Sequence, residues 1–173
     1  MQVTILNECG YDEALLGLSL SYNQDPELMP NVARKLCHKD GGHNKFLEAI
    51  VVWLDITAPR YWWSQFDTYR VGVTKQSEST MHTILRRPLS QEGFAHPIPW
   101  PLLEHLNLLI AEGQLEEVKW NLPESFLQRR IVCANYKSIR NIIIQRENHR
   151  LAEWKEFILA LRELEHKELL PNA

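Results

Sequence analysis

The chain has 173 residues, 45% of them hydrophobic and 24% charged, with a formal net charge of -3 at pH 7. That length suits a single domain spanning 1–173 with a real core, and the composition excludes a disordered chain. The slight acidity argues against a general nucleic-acid coat, and three scattered cysteines (Cys9, Cys37, Cys133) without a CxxC pair exclude a disulfide framework.

In chain order, residues 2–6 (QVTIL) predict a short strand from their β-branched content, broken by Gly10. Asp12 then caps a helix to about Tyr22 with Ala14, Leu15 and Leu18 on its apolar side. Asp25-Pro26 and Met29-Pro30 mark a loop, and Asn31 caps a short helix, Val32 to His38, before Gly41-Gly42. Residues 46–57 fit strand or helix; Ile50, Val51 and Val52 favour strand for the second half, and Pro59 ends it. A helix over 60–70 has Tyr61, Trp62, Phe66 and Tyr69 as its aromatic side, Gly72 leaves it, and 73–81 reads as a polar loop. Prolines 88, 97, 99 and 101 bracket an irregular stretch. Helices are expected at about 101–112, 114–119 and 123–132, and a long helical element over 135–167 with a break near Asn148-His149. The fold class is α/β (α+β) with helix in the majority.

No stretch nears the roughly 20 apolar residues of a membrane span, and the N-terminus lacks a basic segment followed by an apolar one. A cytoplasmic protein is expected, without membrane or nucleic-acid partner. Cys37-His38 alone is no zinc site, which needs clustered ligands, so no metal is expected. There is no G-x-S-x-G elbow, HExxH or GxxxxGK[ST]. The six tryptophans suit core packing first and ring stacking second.

Three segments concentrate polar groups. GHNKFLE (42–48) holds His43 and Glu48; DITAPRYWWSQFDTYR (55–70) holds Gln65 and Arg70, followed by QSESTM (76–81) with Ser79; RRIVCANYKSIRNIIIQR (129–146) holds Arg130, Asn135, Lys137, Asn141 and Arg146. Read from physics alone, the first is a solvated turn and the last a basic helix whose cations stay in water. Their order and spacing, however, resemble the flavin-dependent thymidylate synthases (the ThyX family). Gly42, His43 and Glu48 match a Gly-His-x-Ser-x-x-Glu-His motif, with Lys45 and Ala49 departing from it. Ala58, Pro59, Gln65 and Arg70 fall in register with the approach to an Arg-His-Arg signature in which Thr68 and Tyr69 replace the first two residues. Ser79 takes the signature's serine if one residue is inserted, and Met81 stands for its last arginine. Arg130-Ile131-Val132 and then Asn135, Lys137, Ser138, Asn141 and Arg146 match the family's last two blocks, with a shorter connection between them.

The resemblance implies a ThyX-like fold, a small, mostly antiparallel sheet with a majority of helices, and an enzyme that methylates dUMP reductively to dTMP. FAD would be its cofactor, with NADPH and methylenetetrahydrofolate as co-substrates, in a homotetramer. By the same resemblance Gln65, Ser79, Arg130 and Arg146 take the nucleotide, with Ser79 and Arg146 at the reacting centre. His43, Glu48, Arg70, Asn135, Lys137 and Asn141 frame the flavin. The altered signature keeps an alternative open: a catalytically degenerate ThyX-fold protein that binds a nucleotide or another protein.

Overall fold

The computed structural model describes residues 1–171. Among them are four strands, β1 (Gln2–Cys9), β2 (Val51–Pro59), β3 (Val73–Ser77) and β4 (Leu127–Asn135). Eight α-helices accompany them: α1 (Tyr11–Tyr22), α2 (Met29–Leu36), α3 (Arg60–Phe66), α4 (Thr80–Thr83), α5 (Trp100–Ala111), α6 (Leu115–Asn121), α7 (Tyr136–Arg146) and α8 (Ala152–Leu161). The strands form one antiparallel sheet in the order β1-β2-β4-β3.

Several boundaries differ from expectation. β1 runs to Cys9, and Gly10 itself, at φ 88°, occupies the cap position of α1; Asp12 lies in the first turn, where its charge suits the helix dipole. α2 begins at Met29 because Pro30 is tolerated in a first turn, whose N–H groups lack helical partners anyway. The ambiguous 46–57 segment splits into a 3-10 turn, Lys45–Glu48, and strand β2. The helix expected over 60–70 stops at Phe66. The polar loop expected at 73–81 holds β3 and the single turn α4. The helix expected at 123–132 is instead strand β4; its alternating buried residues, Val132 and Ala134, show the two-residue period. The long C-terminal element breaks between Arg146 and Ala152, bracketing Asn148-His149.

The chain divides into two compact units. The first comprises residues 1–2, 56–68 and 76–130. Its apolar cluster is built on α5 and α6, with Leu106 and Val118 fully buried, joined by Ile84, Phe94 and Leu122. α3 adds Trp62, Trp63 and Phe66, whose rings meet at 4.9–5.6 Å in edge and stacked contacts.

The second unit comprises residues 3–55, 69–75 and 131–171. Here α1 packs on α2 and α7 on α8. Fully buried Leu47, Ile50, Tyr136, Ile139, Trp154 and Phe157 form its centre. Tyr136 donates to the Glu8 carboxylate, which also accepts from the Glu165 and His166 backbone N–H groups. Burial first, then that carboxylate, pushes the Tyr136 phenol far above its ordinary range, so it remains a neutral donor.

Candidate functional site

In the second unit the turn leading into β3 and the junction of β4 with α7 are locked together. Gly72 has φ 66°, the left-handed region, and its carbonyl accepts from the Asn135 N–H at 3.0 Å. Asn135 caps α7, its Oδ1 accepting from the Ser138 N–H at 2.9 Å. Ser138 Oγ reaches back to donate to the Val71 carbonyl at 2.6 Å. A Cβ on Gly72 would run into Asn135 Nδ2 and lie 2.6 Å from Ser138 Oγ, so the close approach requires glycine.

This junction lines a cavity of about 300 Å³ with Glu48, Arg70, Thr74, Cys133 and Asn135 among its walls. Glu48 ends the 3-10 turn and is held by Lys137 Nζ at 2.5 Å. That hydrogen bond, followed by the charge of Lys137, holds the Glu48 carboxyl below its usual range, so it is ionised at neutral pH. The pair is solvent-exposed and orients the carboxylate more than it stabilises the fold. Arg70 is exposed, and among the described residues its guanidinium has no partner. Burial, with Cys9 second, raises the Cys133 thiol above its ordinary value, which keeps it protonated and a poor nucleophile.

The structure therefore brings Glu48, Arg70 and Asn135 to one cavity, with Lys137 as the partner of Glu48. His43 lies on the exposed turn after Gly42 (φ 91°) and does not line that cavity. Asn141 is exposed on α7, one turn beyond Lys137, its Oδ1 3.4 Å from Arg140 Nη1. Arg146, at the end of α7, donates from Nε to Tyr69 Oη at 2.8 Å and lies over the Trp154 ring at 4.7 Å. Tyr69 in turn donates to Gln145 Oε1 at 3.1 Å. The residue standing where the family's signature has histidine is thus the partner of Arg146.

The other three candidates belong to the first unit. Gln65 is half-buried on α3, and its carbonyl accepts from the N–H and Oγ1 of Thr68. Ser79 is exposed at the start of α4, where its carbonyl accepts from the His82 and Thr83 N–H groups. Arg130, on β4, donates from Nη1 to both Asp67 oxygens (2.9 and 3.0 Å) and from Nε and Nη2 to Gln128 Oε1 (3.2 and 2.9 Å). Its guanidinium lies 4.3 Å from the centre of the Trp63 ring.

Sequence reasoning missed Asp67, Gly72, Thr74 and Cys133. Gly72 carried a usable signal, a glycine two residues after a candidate arginine; Asp67 carried none, because its partner is far along the chain. Among the described residues no cluster of His, Cys, Asp or Glu could hold a metal ion, and no helix is long and apolar enough to cross a membrane.

No protein-family model and no curated protein matches the chain. Solved structures do. Two structures of a flavin-dependent thymidylate synthase, ThyX, from Helicobacter pylori, each complexed with FAD and dUMP, match with a TM-score of 0.84 at 18% identity. The alignments cover 99% of this chain and 99% and 98% of the two ThyX chains. A likeness of that extent across so distant a sequence establishes that the chain has a ThyX-like fold.

Proposed function

We propose that this chain binds FAD and dUMP and carries out the ThyX reaction. In that reaction methylenetetrahydrofolate supplies the one-carbon unit and NADPH the reducing equivalents that convert dUMP to dTMP. One observation carries the reading. Glu48, Arg70 and Asn135, picked out by three separate motifs, line a single cavity in a chain whose fold is similar to proteins solved with FAD and dUMP.

The residues fit an anionic dinucleotide. Arg70 offers an unpaired guanidinium to a phosphate, where charge-assisted bonds are strong, and the ionised Glu48 accepts from hydroxyl groups. Lys137 keeps that carboxylate in place, and His43 and Asn141, which lie outside the cavity, are assigned to the part of the cofactor that extends beyond it. FAD, when bound, supplies the redox chemistry that side chains lack. Gln65, Ser79 and Arg130, all of the first unit, take the nucleotide.

A cavity of about 300 Å³ lies at the small end of ligand sites and encloses only part of a dinucleotide. The rest of the cofactor is assigned to neighbouring subunits of a homotetramer. Exposed Leu16 and Leu20 on α1, with Leu28 just beyond it, offer apolar surface for such contacts. Light scattering is expected to give a mass near four times 20.3 kDa; a monomer at micromolar concentration overturns the shared site.

A second reading, a nucleotide-binding or protein-binding relative without flavin chemistry, draws on Arg130 and Arg146 being engaged by Asp67, Gln128 and Tyr69. Fluorescence quenching on titration with FAD separates the two. Saturable binding, weakened about tenfold by Arg70→Ala as the loss of one charged hydrogen bond requires, supports the enzyme. Absence of saturation with or without dUMP makes the second reading the better one.

A further inference from the structure

Among the described residues Arg140, on α7, is the only charged residue that is buried, at 6% exposure, beside the equally buried Ile139, Ile142 and Ile143. Its Nη2 donates to the His38 carbonyl at 3.1 Å and its Nη1 to Asp40 Oδ1 at 3.2 Å. Nη1 also lies 3.4 Å from Asn141 Oδ1, and among the described residues the buried Nε has no partner. Burying a guanidinium with a donor left over costs stability where an apolar side chain would simply pack. Core packing therefore does not account for Arg140; what it holds does.

It holds the loop 38–44, which joins α2 to the 3-10 turn Lys45–Glu48. Gly41 and Gly42 stand there in succession in the left-handed region, at φ 74° and 91°, with open space around both. Such a pair gains nothing from side-chain packing and loses the most conformational freedom on ordering. Order has to come from its flanks. His38 and Asp40, before the glycines, are bonded to Arg140; Asn44, buried after His43, donates from Nδ2 to the same Asp40 oxygen at 3.4 Å. The Lys45 N–H then closes on the Gly42 carbonyl at 3.2 Å. Among the described residues the His43 side chain has no hydrogen bond of its own, so the loop backbone alone sets its place.

We propose that Arg140 is a positioning residue for the cofactor. Through Asp40 and the His38 carbonyl it fixes the loop that presents His43, and through the Asn141 amide it sets that side chain relative to the same loop. One guanidinium thereby joins two residues that lie on separate elements and outside the cavity. The role rests on the flavin reading above, in which His43 and Asn141 take the part of FAD beyond the cavity. Ordering the loop before FAD arrives removes an entropic cost from binding.

Asp40 is the residue to change, because truncating the buried arginine opens a void in the core. The Asp40 side chain is 81% exposed, so in Asp40→Ala water reaches Nη1 and the melting temperature is expected to stay within about 3 °C of wild type. Without FAD, peptides spanning 38–48 of the variant are expected to exchange amide hydrogen for deuterium faster than those of wild type. A loop that holds its competent arrangement about one-tenth of the time weakens FAD about tenfold, read by fluorescence quenching. Asp40→Asn retains the acceptor oxygen and is expected to keep most of the wild-type exchange and affinity. In a His43→Ala background Asp40→Ala is expected to add less than that tenfold, since loop and side chain act as one. Unchanged exchange in Asp40→Ala overturns the proposal, as does FAD binding as tight as wild type or a full tenfold loss on top of His43→Ala. A wild type that binds no FAD overturns the flavin reading and the cofactor role together; wild-type binding with an indifferent variant overturns the role alone.

Discussion

Replacing Gly72 by alanine is expected to cost about 3 kcal/mol of stability. Three terms contribute. A side chain held at positive φ costs about 1–2 kcal/mol, and φ here is 66°. Displacing Asn135 from its capping bond to the Ser138 N–H costs about 1 kcal/mol more. The new Cβ also meets Asn135 Nδ2 and Ser138 Oγ, groups at the start of α7 that cannot swing aside without breaking the Asn135 cap on the Ser138 N–H and the Ser138 Oγ bond to the Val71 carbonyl. For a chain of this length about 3 kcal/mol corresponds to a melting temperature lower by roughly 6–12 °C, read by circular dichroism. Gly17→Ala is the control. That glycine is inside α1 with open space around its missing Cβ, so alanine there is expected to raise stability by about 0.5–1 kcal/mol. Equal small effects at the two positions would mean that the turn at Gly72 adjusts freely. The substitution is also expected to weaken FAD binding, because the same turn presents Arg70 and fixes Asn135 at the cavity.

How much of this was legible in the sequence depends on how local its cause is. α5 was legible because Leu103, Leu106 and Ile110 keep a helical period behind a proline-rich start. The break between α7 and α8 was legible from its polar residues. Strand β4 was not. Leu127, Gln128, Arg129 and Arg130 are all good helix formers, and what makes them a strand is pairing on both sides, with β2 and β3, a cause spread over distant segments. β3 failed for a related reason. It lies at the edge of the sheet, where polar residues such as Thr74 and Gln76 are suitable, and so it reads as a loop.

The candidate site divides along the same line. Residues placed by a local device, Asn135 as a cap and Glu48 at the end of its 3-10 turn, reach a common cavity with Arg70. For Arg130 and Arg146 the sequence showed the cation and not what it touches. Tyr69, read as a departure from a signature, proves to be where Arg146 Nε donates. Asp67, read as nothing at all, holds Arg130. A residue type at a matching position identifies a candidate; its partners decide whether its charge is available.

Arg130→Ala is accordingly expected to destabilise the protein by about 2–3 kcal/mol whether or not nucleotide is present. The Arg130 side chain is only 14% exposed, and its guanidinium joins Asp67, Gln128 and the Trp63 ring. Truncation removes charged hydrogen bonds worth about 1.5–3 kcal/mol and strips the indole face of its cation, about 0.5–1 kcal/mol. Asp67, at 43% exposure, regains water and so offsets part of that loss, which keeps the effect below that of a fully buried pair. Arg130→Lys is expected to recover little, since a point charge cannot bond both Asp67 oxygens and Gln128 from one plane. Asp67→Asn should lose less than Arg130→Ala, and the double variant less than the sum of the singles, giving a coupling energy of about 1 kcal/mol or more. Urea denaturation of the four proteins measures it. Were the bonds to Asp67 and Gln128 without weight in the fold, the singles would be additive and stability would barely change.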